Sequence, residues 1–109
     1  MDMELEKMKK VNEILQLCLA INGFEKRQRE YTGEKPTVLF EFSGHIAMLT
    51  VNMYENGWHE EIKADKCFYI MLDSSYQYID EPMEVLDDCI HYLKSIEMRW
   101  HDEHLQQAV

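Results

Sequence analysis

The spacing of apolar residues changes twice along this 109-residue chain, and that change is what most constrains its fold. From Met3 to Asn22, apolar residues recur at steps of three and four, which places them on one face of a helix. From Val38 to about Asp73 they alternate with a period of two, as strands do. Helical steps return from Asp80 to about Leu105. The order helix, strands, helix predicts an α+β fold.

Turn signals divide the alternating region into strands. Ser43-Gly44-His45 predicts a tight reversal, and Asn56-Gly57 ends the next strand because Asn-Gly accepts the positive φ angles of a primed hairpin turn. A third strand is predicted from about Asp65 to Asp73, and the charged segment from Phe24 to Glu30 predicts an edge strand. We therefore expect one domain, residues 1–109. It should be a two-layer sandwich in which both helices cover one face of a three- or four-stranded antiparallel meander.

The charge of the chain is strongly acidic and unevenly placed. Its 21 Asp and Glu against 11 Lys and Arg give a net charge of -10, which argues against direct binding of nucleic acid or anionic lipid. Residues 1–36 are neutral, so the excess lies after Pro36, and no Lys or Arg occurs between Lys66 and Lys94. The acidic residues of this stretch are the predicted partner-binding residues: Asp73, Asp80, Glu81, Glu84, Asp87 and Asp88. Such a field steers a basic partner.

One face of the predicted sheet provides the core, and the other face is more apolar than exposure to water requires. Its predicted interface residues are Leu39, Ile46, Met48, Tyr54, Tyr69 and Met71. A contiguous apolar patch of this kind usually marks an interface, so we expect a homodimer or a partner to use it. The alternative is that a loop, or the end of the last helix with Trp100 and Leu105, covers it.

No motif in the sequence names a reaction. His59 lies beside two glutamates, and His101 and His104 are three residues apart, but neither arrangement matches a zinc-protease signature. The four glycines are explained by turns, so a phosphate-binding loop is not expected. We predict no catalytic residue, no cofactor and no metal site, and leave open whether His101 and His104 bind a metal.

Cysteine usage and hydropathy favour a cytoplasmic protein. Cys18, Cys67 and Cys89 are odd in number and widely spaced, which is typical of reduced thiols that fill a core. The N-terminal segment is too charged for a secretion signal, and the longest apolar run, Phe68 to Leu72, is too short to span a membrane. A soluble, cytoplasmic chain is therefore predicted.

Two short blocks, Phe42-Ser43-Gly44-His45 and Tyr54-Glu55-Asn56-Gly57-Trp58, together with size, acidity and cysteine usage, resemble small proteins of phages and prophages. The acid-rich ones among these are similar to anti-CRISPR and other anti-defence inhibitors. With the acidic stretch, this favours a non-enzymatic protein that docks on a basic, nucleic-acid-binding protein surface and inhibits it. The alternative is a small-ligand-binding or sequestering homodimer that uses Trp58, Tyr54 and Tyr69.

Overall fold

The predicted element order is confirmed by the computed structural model, which describes residues 3–73 and 82–107. The elements are α1 (Met3–Asn22), α2 (Arg29–Thr32), β1 (Thr37–Ser43), β2 (Met48–Tyr54), β3 (Lys66–Met71) and α3 (Pro82–Gln107). The strands form one antiparallel sheet in the order β1-β2-β3, and α1 and α3 pack on it. The fold is therefore the expected α+β arrangement of a helix, a meander and a helix.

The core lies between the two long helices and one face of the sheet. Ile14 and Ile21 of α1 and Leu93 of α3 belong to one buried cluster with Leu49 and Val51 of the central strand β2, which have no exposed surface. Side chains of this kind stabilise a fold by roughly 1.5–3 kcal/mol each when they are fully buried. No helix of the described part is long and apolar enough to cross a membrane.

The opposite side of the sheet carries neither long helix, and we call it the open face. The strand register places eleven residues on it: Thr37, Leu39, Glu41, Ser43, Met48, Thr50, Asn52, Tyr54, Cys67, Tyr69 and Met71. The predicted alternation is therefore confirmed within the strands. Ile46 differs, because residues 44–47 form the turn between β1 and β2, and Ala47 adopts a φ of 51° there.

The predicted edge strand from Phe24 to Glu30 is wrong. Residues 26–28 are irregular and α2 begins at Arg29. A side chain takes the place of a paired strand: the Asn22 amide donates to the Val38 carbonyl at 2.7 Å and accepts from the Val38 N–H at 2.9 Å. The outer edge of β1 is thus partly capped by the last residue of α1, which is one of the ways that sheets protect an edge.

Replacing Asn22 by alanine should lower the free energy of unfolding by about 1–2 kcal/mol, because it leaves both backbone groups of Val38 without their partner. Urea denaturation measures the loss. Gln16→Ala is the control, since Gln16 is an exposed side chain on the same helix and its truncation should change stability by less than about 0.5 kcal/mol. Equal losses for the two variants would show that the Asn22 bonds do not stabilise the fold.

The Asn56-Gly57 turn also differs from the prediction. Strand β3 begins only at Lys66, and of these two residues Gly57 alone has a positive φ, 93°, so the turn is not a primed hairpin. The connection 55–65 instead docks on the α2 segment: the Arg29 N–H donates to the Trp58 carbonyl at 2.7 Å and the Arg29 Nη2 donates to the Asn56 carbonyl at 2.8 Å. These contacts hold the connection between β2 and β3 against the segment that precedes β1.

Candidate protein-binding surfaces

Two predicted acidic residues lie together on the solvent side of α3. Glu84 and Asp88 are exposed, whereas apolar residues of the helix such as Leu86 and Leu93 are buried in the core. They are four residues apart and therefore neighbours on the helix surface, where like charges destabilise each other by about 0.2–0.5 kcal/mol. Among the ion pairs found in the described part of the chain, none involves either carboxylate. We call this pair the acidic face.

Asp87 has a different environment, because α1 brings a base to it. The Lys10 Nζ lies 2.5 Å from the Asp87 Oδ1, and this hydrogen bond raises the pKa of Lys10. Lys94 forms a second bond between the helices, 3.0 Å to Glu13. The acidic stretch, which contains no Lys or Arg of its own, is thus paired in the folded chain with Lys10 of α1. Asp87 links the two helices and is also partly exposed.

Asp73, another of the predicted acidic residues, lies outside α3. Asp73 is exposed just after β3 and lines an apolar groove with Met8, Phe42 and Leu72. Lys7 reaches the same end of the sheet and donates to the Leu72 carbonyl at 2.8 Å. Asp80 and Glu81 lie outside the described residues.

The open face offers less apolar area than the sequence predicts. Leu39 and Tyr69 are 43% and 59% exposed, and Ile46, Met48 and Met71 are partly buried. Tyr54, which pairs with Thr37 at the end of the sheet, is only 8% exposed and adds little area for a partner. Cys67 is exposed on this face. Its alternation with Tyr69 could have placed it there from the sequence.

Trp100, which covers the open face in the alternative to an interface, lies at the end of the sheet instead. It lines a crevice with Pro36, Glu55 and Ile96, and the Arg27 guanidinium lies 5.9 Å from the centre of its ring. The side chain of Leu105 lies outside the described part. Trp100 therefore leaves Leu39 and Tyr69 exposed.

A small cleft beside α2 contains two of the residues considered for ligand or acid–base chemistry. Its volume is about 470 Å³, and its lining residues are Gln28, Arg29, Glu30, Trp58, His59 and Glu60. The His59 Nδ1–H donates to the Glu60 carbonyl at 2.8 Å rather than to a carboxylate. Neither Tyr54 nor Tyr69 lines this cleft, so the three aromatic residues of the small-ligand hypothesis do not meet there.

Metal ligands do not cluster in the part of the chain whose side chains the structure describes, where no group of three or more His, Cys, Asp or Glu could hold an ion. The side chains of His101 and His104 lie outside that part.

Two cysteines fill the core as predicted, since Cys18 and Cys89 are buried and burial raises the pKa of both to about 12. Cys67 does not.

The acidic face of α3 and the open face are the two surfaces on which the predicted binding residues converge. Glu84 and Asp88 supply charge on the first, and Leu39 and Tyr69 supply apolar area on the second. No protein-family model matches the chain, and neither the curated proteins nor the solved structures include a significant match.

Proposed function

We propose that this chain is a non-enzymatic, acidic protein-binding domain that docks on a basic, nucleic-acid-binding surface of another protein and inhibits it, as phage anti-defence inhibitors do. The observation that carries the proposal is the acidic face: Glu84 and Asp88 repel each other on the solvent side of α3, and none of the ion pairs found in the described residues includes them. A basic partner relieves this repulsion on binding.

The distribution of charge supports the same proposal. After Pro36 the chain has 14 acidic and four basic residues. Two of those four bases are already used, Lys94 by Glu13 and Arg99 by Glu55 at 2.7 Å. The acidic excess is therefore not neutralised within the fold, and it accelerates association with a surface of opposite sign.

Reversing the charge of the acidic face should weaken partner binding at least about tenfold, because Glu84→Lys with Asp88→Lys places like charges against a basic surface. Asp87 is left unchanged, since a lysine there would face Lys10 and damage the helix packing. The wild-type and variant chains are immobilised and used to capture partners from a bacterial lysate, and binding of the captured protein is then measured by calorimetry at about 50 mM and about 500 mM salt.

Glu30→Lys with Glu34→Lys is the matched control, since it changes the net charge equally at two exposed positions in the neutral third of the chain. The control should bind almost as the wild type does. An affinity that is independent of salt and unchanged by the α3 reversal would contradict the proposal, as would a captured partner without a basic, nucleic-acid-binding surface.

A second candidate function is a sequestering homodimer or small-ligand binder that uses the open face. The exposure of Leu39 and Tyr69 on a face that carries one charged residue, Glu41, favours it. A thermal-shift panel of nucleotides and metals separates the two functions, because stabilisation by a small molecule supports the second candidate.

A further inference from the structure

Helix α1 has a second apolar stripe that does not face the core. Leu5, Met8, Leu15 and Leu19 are between 38% and 62% exposed, and with the exposed Asn12 they follow one another at steps of three, four, three and four. We call these five residues the α1 stripe. Single exposed leucines are ordinary on a protein surface, but this order is the a and d pattern of a coiled-coil heptad.

The polar residue of the stripe, Asn12, lies at a heptad position where asparagine has a known effect on pairing. If Leu5 is position a, then Met8 and Leu15 are d, Leu19 is a, and Asn12 is the central a. One asparagine at an a position fixes the register and the number of strands in parallel coiled-coil dimers, because the two side-chain amides bond to each other across the axis. An identical helix is thus the partner that this position fits.

The charges beside the stripe fit the same partner. In the heptad, Glu4 is position g and Lys9 is the following position e, and a g residue faces the next e residue of the other strand in a parallel pair. In a parallel pair of α1 helices, Glu4 of each copy faces Lys9 of the other. Within the chain, Lys9 contacts Glu6 at 3.8 Å with a largely exposed side chain, a surface pair of the kind worth under about 1 kcal/mol.

The overall charge also selects this surface for self-association. Two copies of a chain with a net charge of -10 repel wherever their acidic surfaces meet, but α1 carries three acidic and three basic residues and is neutral. Its core-facing residues, such as Ile14 and Leu17, lie on a different side of the helix from the stripe. The fold has already formed the helix, so pairing does not have to meet the cost of nucleating it.

We propose that two copies of this chain associate through the α1 stripe as a short, parallel, two-stranded coiled coil. This is independent of the acidic face and uses a different surface from the open face. The seam is about two heptads long, which is small for an interface, so we expect a dissociation constant between about 10 μM and 1 mM. A dimer of this kind displays two acidic faces to a partner.

Sedimentation velocity over that concentration range tests the association. The wild-type chain should dimerise, and Leu15→Glu should weaken dimerisation by about tenfold or more, because it places a carboxylate at the centre of the seam. Met98→Glu is the matched control: Met98 is 66% exposed on α3, outside the stripe, and its replacement should leave the dimer unchanged. Circular dichroism and thermal unfolding confirm that both variants keep the fold.

Charge exchange tests the parallel orientation with surface variants that leave the core intact. In Glu4→Lys or Lys9→Glu alone, each flank of the seam joins like charges, whereas in a mixture of the two variants each flank joins opposite charges. Neither variant alone should dimerise as well as their mixture. The proposal is overturned if the wild-type chain stays monomeric up to about 1 mM. It is also overturned if the dimer survives Leu15→Glu, as it would if the interface were the open face and Tyr69→Glu dissolved it instead. A mixture of the two charge variants that pairs no better than its components would likewise overturn it.

Discussion

Replacing Gly57 by alanine should lower the free energy of unfolding by about 3 kcal/mol or more, one of the two largest effects expected for this chain. A Cβ built on Gly57 lies 2.7 Å from the Gly33 carbonyl oxygen and 3.3 Å from the Glu34 Cα. Both are backbone atoms, so neither can move aside as a flexible side chain does. The φ of 93° at Gly57 adds strain for any residue with a side chain.

Gly23→Ala is the matched control, because Gly23 also has a positive φ, 66°, but no atom lies within 4 Å of its built Cβ. Gly23→Ala should lower the free energy of unfolding by only about 1 kcal/mol, which is the cost of holding a residue with a Cβ in the left-handed conformation. Thermal unfolding measures both variants, and the melting temperature of Gly57→Ala should fall by about 10 °C or more. Equal losses would show that the approach of the two backbone segments does not constrain the fold.

The same contact shows why part of the fold was predictable and part was not. Helix α1 was predicted with its observed bounds, Met3–Asn22, because apolar steps of three and four are a local signal and Asn22-Gly23 ends the helix locally. The Asn56-Gly57 turn was predicted with the wrong geometry. Its conformation depends on Gly33 and Arg29, more than twenty residues earlier, and no local pattern contains that information.

The candidate site divides in the same way. The period of two placed Leu39 and Tyr69 on the open face correctly, since alternation depends only on strand geometry. The base-free acidic stretch was a linear observation, whereas the Lys10 beside Asp87 is 77 residues distant in sequence. Charge patterns along a chain identify an excess of one sign, but the pairs that remain exposed depend on which helices pack together.

The free energy of unfolding should fall steeply between about pH 9 and pH 12, because two thiols that stay protonated in the core ionise once the chain unfolds. Burial raises the pKa of Cys18 and Cys89 from 9.0 to about 12, and for Cys89 the charge of the Cys18 thiolate adds to it. A folded-state pKa above the unfolded value means that the stability is complete below pH 9 and is lost as the pH rises towards 12. Each pKa unit corresponds to 1.36 kcal/mol, so at pH 11 each thiol removes about 2.5 kcal/mol.

Urea denaturation at pH 8, 10 and 11 should therefore show a fall of about 5 kcal/mol between the ends of this range, which is comparable with the total stability of many domains. Cys18→Ala with Cys89→Ala should start from a lower stability at pH 8, because it leaves cavities between α1 and α3, but should lose much less as the pH rises. Lys10 and Tyr92, whose pKa values are also raised, by the Asp87 hydrogen bond and by burial respectively, are present in both proteins and account for the decline that remains. Cys67→Ser is the control, since Cys67 is exposed and its replacement keeps both core thiols. A double variant that loses stability as steeply as the wild type would show that ionisation of the core thiols does not limit stability at alkaline pH.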